Sequence, residues 1–136
     1  MKRIVNIQDI SCVGKCSLTV ALPILSAMGL ECAILPTAVL STHTMFRGYT
    51  FRDLTDDLPG IADHWEAEGI DFEAIYTGYL GSARQLEIVE DFFTRFGRSA
   101  SIVIDPVMAD NGKLYPGFTE AFAQRMALLC AHADII

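Results

Sequence analysis

The sequence predicts an α/β fold of three layers, with helices on both faces of a mostly parallel sheet. Three observations predict it. Short runs rich in Ile, Val, Leu and Ala alternate with helical runs along the whole 136-residue chain, an order that specifies parallel strands joined by crossover helices. Glycine follows the helical runs at Gly29, Gly69 and Gly97, where helices commonly stop. The stretches after the strands, residues 8–15, 39–50, 77–82 and 105–115, collect the Gly, Asp, His, Thr and Tyr of the chain, and ligands of such sheets bind beyond the carboxyl ends of the strands.

Each element has its own signal. Arg3 to Ile7 reads as a first strand. Ser17 to Met28 reads as a helix with Leu18, Ala21, Leu22, Leu25 and Met28 on one face, and Pro23 within it removes one backbone bond. Glu31 to Val39 is a second strand. Asp53 to Glu68 reads as a helix whose Leu54, Leu58, Ile61 and Trp65 recur at helical spacing, with Pro59 marking where its regular part begins. Ala74 to Thr77 is a third strand. Ser82-x-x-Gln85 is a capping box opening a helix whose stripe is Leu86, Val89, Phe93 and Phe96. Ser101 to Ile104 is a continuous apolar strand, and Thr119 to Cys130 a last helix with Phe122, Met126 and Leu129 inward. Asp134, Ile135 and Ile136 read as the first residues of another strand.

Composition bounds the function. Hydrophobic residues make up 51% and charged residues 20%, which is globular and at the apolar end of the range. A piece of a larger sheet would show the same excess, as apolar surface awaiting cover. The formal charge is −7, from 10 basic and 17 acidic residues, with a pI near 4.7 and no basic cluster. Nucleic acid is not an expected partner, because its phosphates demand a basic footprint. No apolar run is long enough for a bilayer, so no membrane partner is expected. The opening stretch is broken by Asn6 and Asp9 and has no cleavage site of a signal peptide. A cytoplasmic setting follows, with Cys12, Cys16, Cys32 and Cys130 as reduced thiols. Cys12 and Cys16 have no second Cys/His pair with which to hold zinc.

Four stretches carry candidate chemistry. Asp105-Pro106-Val107-Met108-Ala109-Asp110-Asn111-Gly112-Lys113-Leu114-Tyr115 starts where an apolar strand ends. Its two carboxylates can hold a hydrated Mg²⁺ together with phosphate oxygens; chemistry alone favours the plainer reading, an Asp-Pro turn followed by an Asn-Gly turn. Thr77-Gly78-Tyr79-Leu80-Gly81-Ser82 places a tyrosine between two glycines before a helix, either for close approach to a ligand or as a tight connection. Leu40-Ser41-Thr42-His43-Thr44 follows the second strand, and Ile7-Gln8-Asp9 ends the first.

These motifs, in order and at matching spacings across essentially the whole chain, resemble the pyridoxal/pyridoxamine (vitamin B6) kinases of the ribokinase-like superfamily. The run at 105–115 is similar to the signature shared with the hydroxymethylpyrimidine kinases, with Ala109 where Gly is usual. The resemblance implies that Asp105 and Asp110 lie by the ATP phosphates and place the metal, with Tyr115 at the edge of the nucleotide site. The run at 77–82 is closer to pyridoxal kinases and implies that Tyr79 lines the pyridine pocket. Ser41 to Thr44 resembles a Ser-Asn-His-Thr run, which implies ring contacts from Thr44 and His43, with residues 45–51 as a flap. Asp9 stands where those kinases carry a ring-contacting Ser; an acid there changes the charge offered to the ring and is expected to set substrate preference.

The implied function is ATP-dependent phosphorylation of the 5′-hydroxymethyl group of pyridoxal, pyridoxamine or pyridoxine. ATP and Mg²⁺ are the implied cofactors, with K⁺ as the candidate monovalent ion, and a homodimer is the implied assembly. Residues 1–136 then form the N-terminal portion of a single kinase domain. The alternatives are a hydroxymethylpyrimidine kinase and a non-catalytic fragment that binds or dimerises. The family's Gly-x-Gly-Asp run, which supplies the anion hole and the catalytic base, has no counterpart in these 136 residues, so no catalytic base is assigned within them.

Overall fold

In the computed structural model, which describes residues 2–136, the first strand β1 (Arg3–Ser11) is the middle of five. It pairs in parallel with β2 (Glu31–Leu40) on one side and with β4 (Ala74–Thr77) on the other. The short β3 (Phe51–Asp53) runs antiparallel along the outside of β2, and β5 (Ser101–Ile104) extends the sheet beyond β4. The order is β3-β2-β1-β4-β5. The chain steps outward from β1 in one direction first and then in the other, so the carboxyl end of β1 is a topological switch point, where such sheets form their ligand crevice.

Helices α2 (Leu58–Ala67), α3 (Ala83–Phe96) and α4 (Glu120–Cys130) cover one face. Their Leu58, Ala62, Leu86, Val89, Phe92, Phe96, Met126 and Leu129 form one core with Val5, Ile7, Leu35, Ile75, Ile102 and Ile104 of the strands. Arg95 bridges α3 to α2 through Asp63 and Glu66, at 2.9 and 2.8 Å. Helix α1 (Leu18–Ala27) packs against β1 and β2 and is not part of that core. Only Leu18 of α1 is fully buried, while Val20, Ile24 and Met28, one turn apart along it, are exposed. The expected inward position of Met28 is therefore not met. A helix apolar on nearly all sides that buries so little has surface to offer another body. No helix among the described residues is long and apolar enough to cross a membrane.

Three boundaries differ from the sequence expectation. Strand β1 continues through Gln8 and Asp9 to Ser11, because the long β2 pairs with it as far as Leu40, while β4 pairs with it only up to Ile7. The second helical run begins at Leu58, not Asp53. Asp53 is spent on β3, its carboxylate accepts the Thr55 N–H at 2.7 Å, and Leu54 N–H bonds Thr37 O at 3.1 Å. The 105–115 loop holds a two-stranded hairpin, β6 (Ala109–Asp110) and β7 (Lys113–Leu114). Its turn residues Asn111 and Gly112 have φ of 51° and 75°, the double left-handed bend that an Asn-Gly hairpin demands. At the far edge, Ile135 bridges to Val103 in parallel.

Candidate functional site

All four strands that carry candidate residues are parallel, so their loops open at one end of the sheet. Asp9 lies near the end of β1, Thr44 four residues beyond β2, Tyr79 two beyond β4, and Asp105 directly after β5. Asp9 and Tyr79 thus sit at the switch point, and Asp105 one strand further out. A surface cleft of about 190 Å³ lies elsewhere, between α2 and α3 around Pro59 and Arg95. It is on the helical face, away from every strand end, and its Arg84, Glu87, Asp91 and Arg95 already pair with one another or with neighbouring acids.

A bulge shapes the middle of the site. Gln8 pairs with Pro36 but Ile10 with Val39, so Asp9 alone faces Thr37 and Ala38. Pro36, which has no N–H to give a ladder, is tolerated beside such an irregularity. Asp9 is 5% exposed, and one of its oxygens accepts the Ser11 hydroxyl at 3.1 Å. Thr37 Oγ1 donates to Tyr79 O at 3.0 Å, which ties the β4–α3 loop to the bulge. Gly78 is required by close approach: a Cβ there would collide with the Gln8 carboxamide.

Gln85 is a residue that the sequence reading placed only as a cap. Ser82 Oγ does accept the Gln85 N–H at 3.2 Å. The Gln85 side chain, buried, then accepts from Gly81 N at 2.7 Å and donates to Thr37 O and Thr55 Oγ1, each at 3.0 Å. It therefore bolts together the loop carrying Tyr79, the bulge in β2 and the turn before α2. Its signal was a polar residue at the head of an apolar stripe. Tyr49 and Asp53 also belong to this neighbourhood. Burial first, and then the charges of Asp9, Tyr49 and Asp53, push the Tyr79 phenol above its ordinary pKa.

Beyond β2, His43 is held on several sides. Its N–H bonds Val13 O at 3.1 Å, its Nδ1 accepts the Met45 N–H at 3.2 Å, and its ring lies 4.8 Å from that of Phe46. Gly14, at φ 116°, has a ring edge of His43 where a Cβ would be. Thr44 is exposed on the turn that follows, and the apolar Met45, Phe46 and Tyr49 beside it are exposed as well.

On the other side, Tyr115 donates its hydroxyl to Asp110 Oδ2 at 2.7 Å across the hairpin. That bond first, then burial and the charges of Asp110 and Asp105, raises the Tyr115 pKa. Asp105 also raises that of Tyr76, behind burial. The two carboxylates therefore act on one small region. Both are exposed, and among the described residues no group of three or more His, Cys, Asp or Glu forms a closed metal cage. An open carboxylate pair fits Mg²⁺, which keeps waters and takes phosphate oxygens.

These tyrosines give a first measurable consequence. Three of the four tyrosines have a folded pKa above the ordinary value. Stability from keeping them neutral is present below about pH 10, the unfolded value, and is lost as pH rises through the folded ones. A tyrosinate absorbance titration is expected to be displaced to higher pH in the folded chain than in denaturant, and coincident curves would remove this account of the burial.

Comparison with known proteins follows the geometry. No protein-family model matches the chain. A curated protein of Schizosaccharomyces pombe named as a putative pyridoxal kinase is 31% identical over 123 residues, covering 84% of this chain and 38% of that protein. A solved structure of a putative phosphomethylpyrimidine kinase from Bacteroides thetaiotaomicron is 48% identical, covers 98% of this chain and 47% of that one, and superposes with a TM-score of 0.95. An orthorhombic form of it was solved with pyridoxal. Pyridoxal kinase from Lactobacillus plantarum is 35% identical over 99% of this chain and 49% of that one, at a TM-score of 0.93. The chain thus spans 38% of the curated relative and just under half of these solved chains.

Proposed function

Since the chain belongs to the ribokinase-like kinases that include the pyridoxal and phosphomethylpyrimidine kinases, we propose that it forms the substrate and metal side of a vitamin B6 kinase. The reaction is transfer of the ATP γ-phosphoryl group to the 5′-hydroxymethyl of pyridoxal, pyridoxamine or pyridoxine. The observation that carries this reading is the pairing of a buried acid and a half-buried tyrosine at the switch point, Asp9 and Tyr79, with an exposed carboxylate pair, Asp105 and Asp110, at the neighbouring strand end.

The division of labour follows from that layout. Tyr79, His43 and Thr44 surround the flat ring of the alcohol, and the tie from Thr37 to the Tyr79 backbone holds the loop in place. Asp105 and Asp110, with Tyr115 orienting the latter, would hold Mg²⁺, which would supply charge neutralisation for the phosphates. Phosphoryl transfer needs little covalent help from the protein, so positioning and charge neutralisation are the main tasks. Residues 1–136 are then the N-terminal portion of one kinase domain, in a cytoplasmic enzyme that works as a homodimer.

A second reading, a hydroxymethylpyrimidine kinase, is favoured by the name of the Bacteroides protein. The test is turnover of each alcohol with ATP by the full-length gene product. The B6 reading expects kcat/KM for pyridoxal or pyridoxamine to exceed that for hydroxymethylpyrimidine by at least about tenfold. The reverse order would hand the site to the pyrimidine.

A further inference from the structure

We propose that Asp9, backed by Ser11, is the counter-charge for a protonated nitrogen on the substrate, so that the site selects a cationic ring or amine over a neutral isostere. The inference deepens the B6 kinase reading and rests on it for the substrate class.

The argument starts from what Asp9 lacks. It is 5% exposed, and a carboxylate so far from water is normally paired with a cation or neutralised by several donors. Its side-chain partner is a single hydroxyl, Ser11 Oγ, on Oδ2. Among the described residues no Lys, Arg or His forms an ion pair with it; the ion pairs involve other acids. The polar side chains close by are already committed. Thr37 Oγ1 is given to Tyr79 O, and Gln85 Nε2 to Thr37 O and Thr55 Oγ1. Oδ1 of Asp9 has no donor, yet it is not among the sealed polar atoms without a partner, which are Asn6 Nδ2 and Thr77 Oγ1. It therefore keeps some access to solvent near the carboxyl end of β1.

The surroundings deepen the deficit. Asp53 joins Asp9 in raising the pKa of Tyr79, so two acids act on this neighbourhood and favour an entering cation. The bulge that isolates Asp9 opposite Thr37 and Ala38 is the kind of irregularity that re-aims a side chain beside a site. A ring nitrogen bearing a proton, or an aminomethyl group bearing one, offers the charge-assisted N–H that Oδ1 lacks.

The experiment measures binding by calorimetry to the full-length gene product, with pyridoxine, pyridoxamine and the benzene isosteres of both. If the ring nitrogen is the partner, wild type is expected to bind pyridoxine at least about tenfold tighter than its benzene isostere. In Asp9→Asn and in Asp9→Ser that ratio falls to near one, while affinity for the neutral isostere is kept and the melting temperature does not fall. If the exocyclic amine is the partner, the benzene isostere of pyridoxamine retains its dependence on Asp9; if the ring nitrogen is, it does not. A ratio equal in wild type and both variants, together with an affinity for the benzene isostere of pyridoxamine that is also unchanged by the variants, overturns the inference and leaves the B6 reading standing. Binding of none of the four by wild type overturns both. A lower melting temperature in both variants with an unchanged ratio makes Asp9 a structural acid and also overturns the inference.

Discussion

No pyridoxal phosphate is expected from the 136-residue chain incubated alone with pyridoxal, ATP and Mg²⁺. The residues proposed to place substrate and metal are present, but no Gly-x-Gly-Asp run occurs in the sequence, and in the kinases that it resembles that run supplies both the anion hole and the base. Removing a preorganised donor to developing charge costs on the order of 10²–10³ in rate. A general base contributes about 10²–10⁴ more. Together these put the rate of the chain alone below detection in a standard coupled assay. The same chain is expected to self-associate, because Val20, Ile24 and Met28 line an exposed side of α1 and an apolar row of that kind is seldom left to water. Product formation in the coupled assay, or a clean monomer by light scattering, would refute the respective half of this expectation.

How much of this was legible depended on whether the signal was local. The strands at 74–77 and 101–104 and the inward face of α4 match the expectation residue for residue, since each is a short apolar run or a helical stripe read from neighbours in sequence. Strand β3 was not legible. All three of its residues are exposed, so it carries no alternation of the kind that marks a strand, and it exists only because β2 offers a partner. Gln8 and Asp9 extend β1 for a related reason: β2 runs on beside them to Leu40, so their place in the strand is fixed by a partner rather than by their own polarity. Within the site, Asp9, Tyr79 and Asp105 could be placed at one end because each follows an apolar run and the strands are parallel. Tyr49 was placed there only as part of the flap at 45–51, and Gln85 and Asp53 could not be placed there, because their relation to Tyr79 spans 6 and 26 residues of sequence and arises only when the loops meet.

Asp105→Asn and Asp110→Asn, made in the full-length gene product, are each expected to cut turnover at sub-saturating Mg²⁺ by about 10²-fold, the scale of losing one fixed charge aimed at the transferring group. Affinity for pyridoxal is expected to change little, because Asp9 lies on the other side of β4 from this pair and Tyr79 follows β4 itself, one strand away from Asp105. Raising Mg²⁺ should restore part of the loss, since a weakened metal site can still be filled by mass action. The structure adds a readout that does not depend on catalysis. Tyr115 owes its raised pKa first to its bond with Asp110. An asparagine there keeps an acceptor oxygen but removes the charge, so the Tyr115 titration should move back toward the ordinary tyrosine value in Asp110→Asn. In Asp105→Asn the movement should be smaller, because Asp105 acts on Tyr115 through its charge alone. A Mg²⁺ dependence unchanged in both variants would show that the carboxylates do not hold the metal. If the Tyr115 titration nevertheless moved, it would show that they only brace the hairpin.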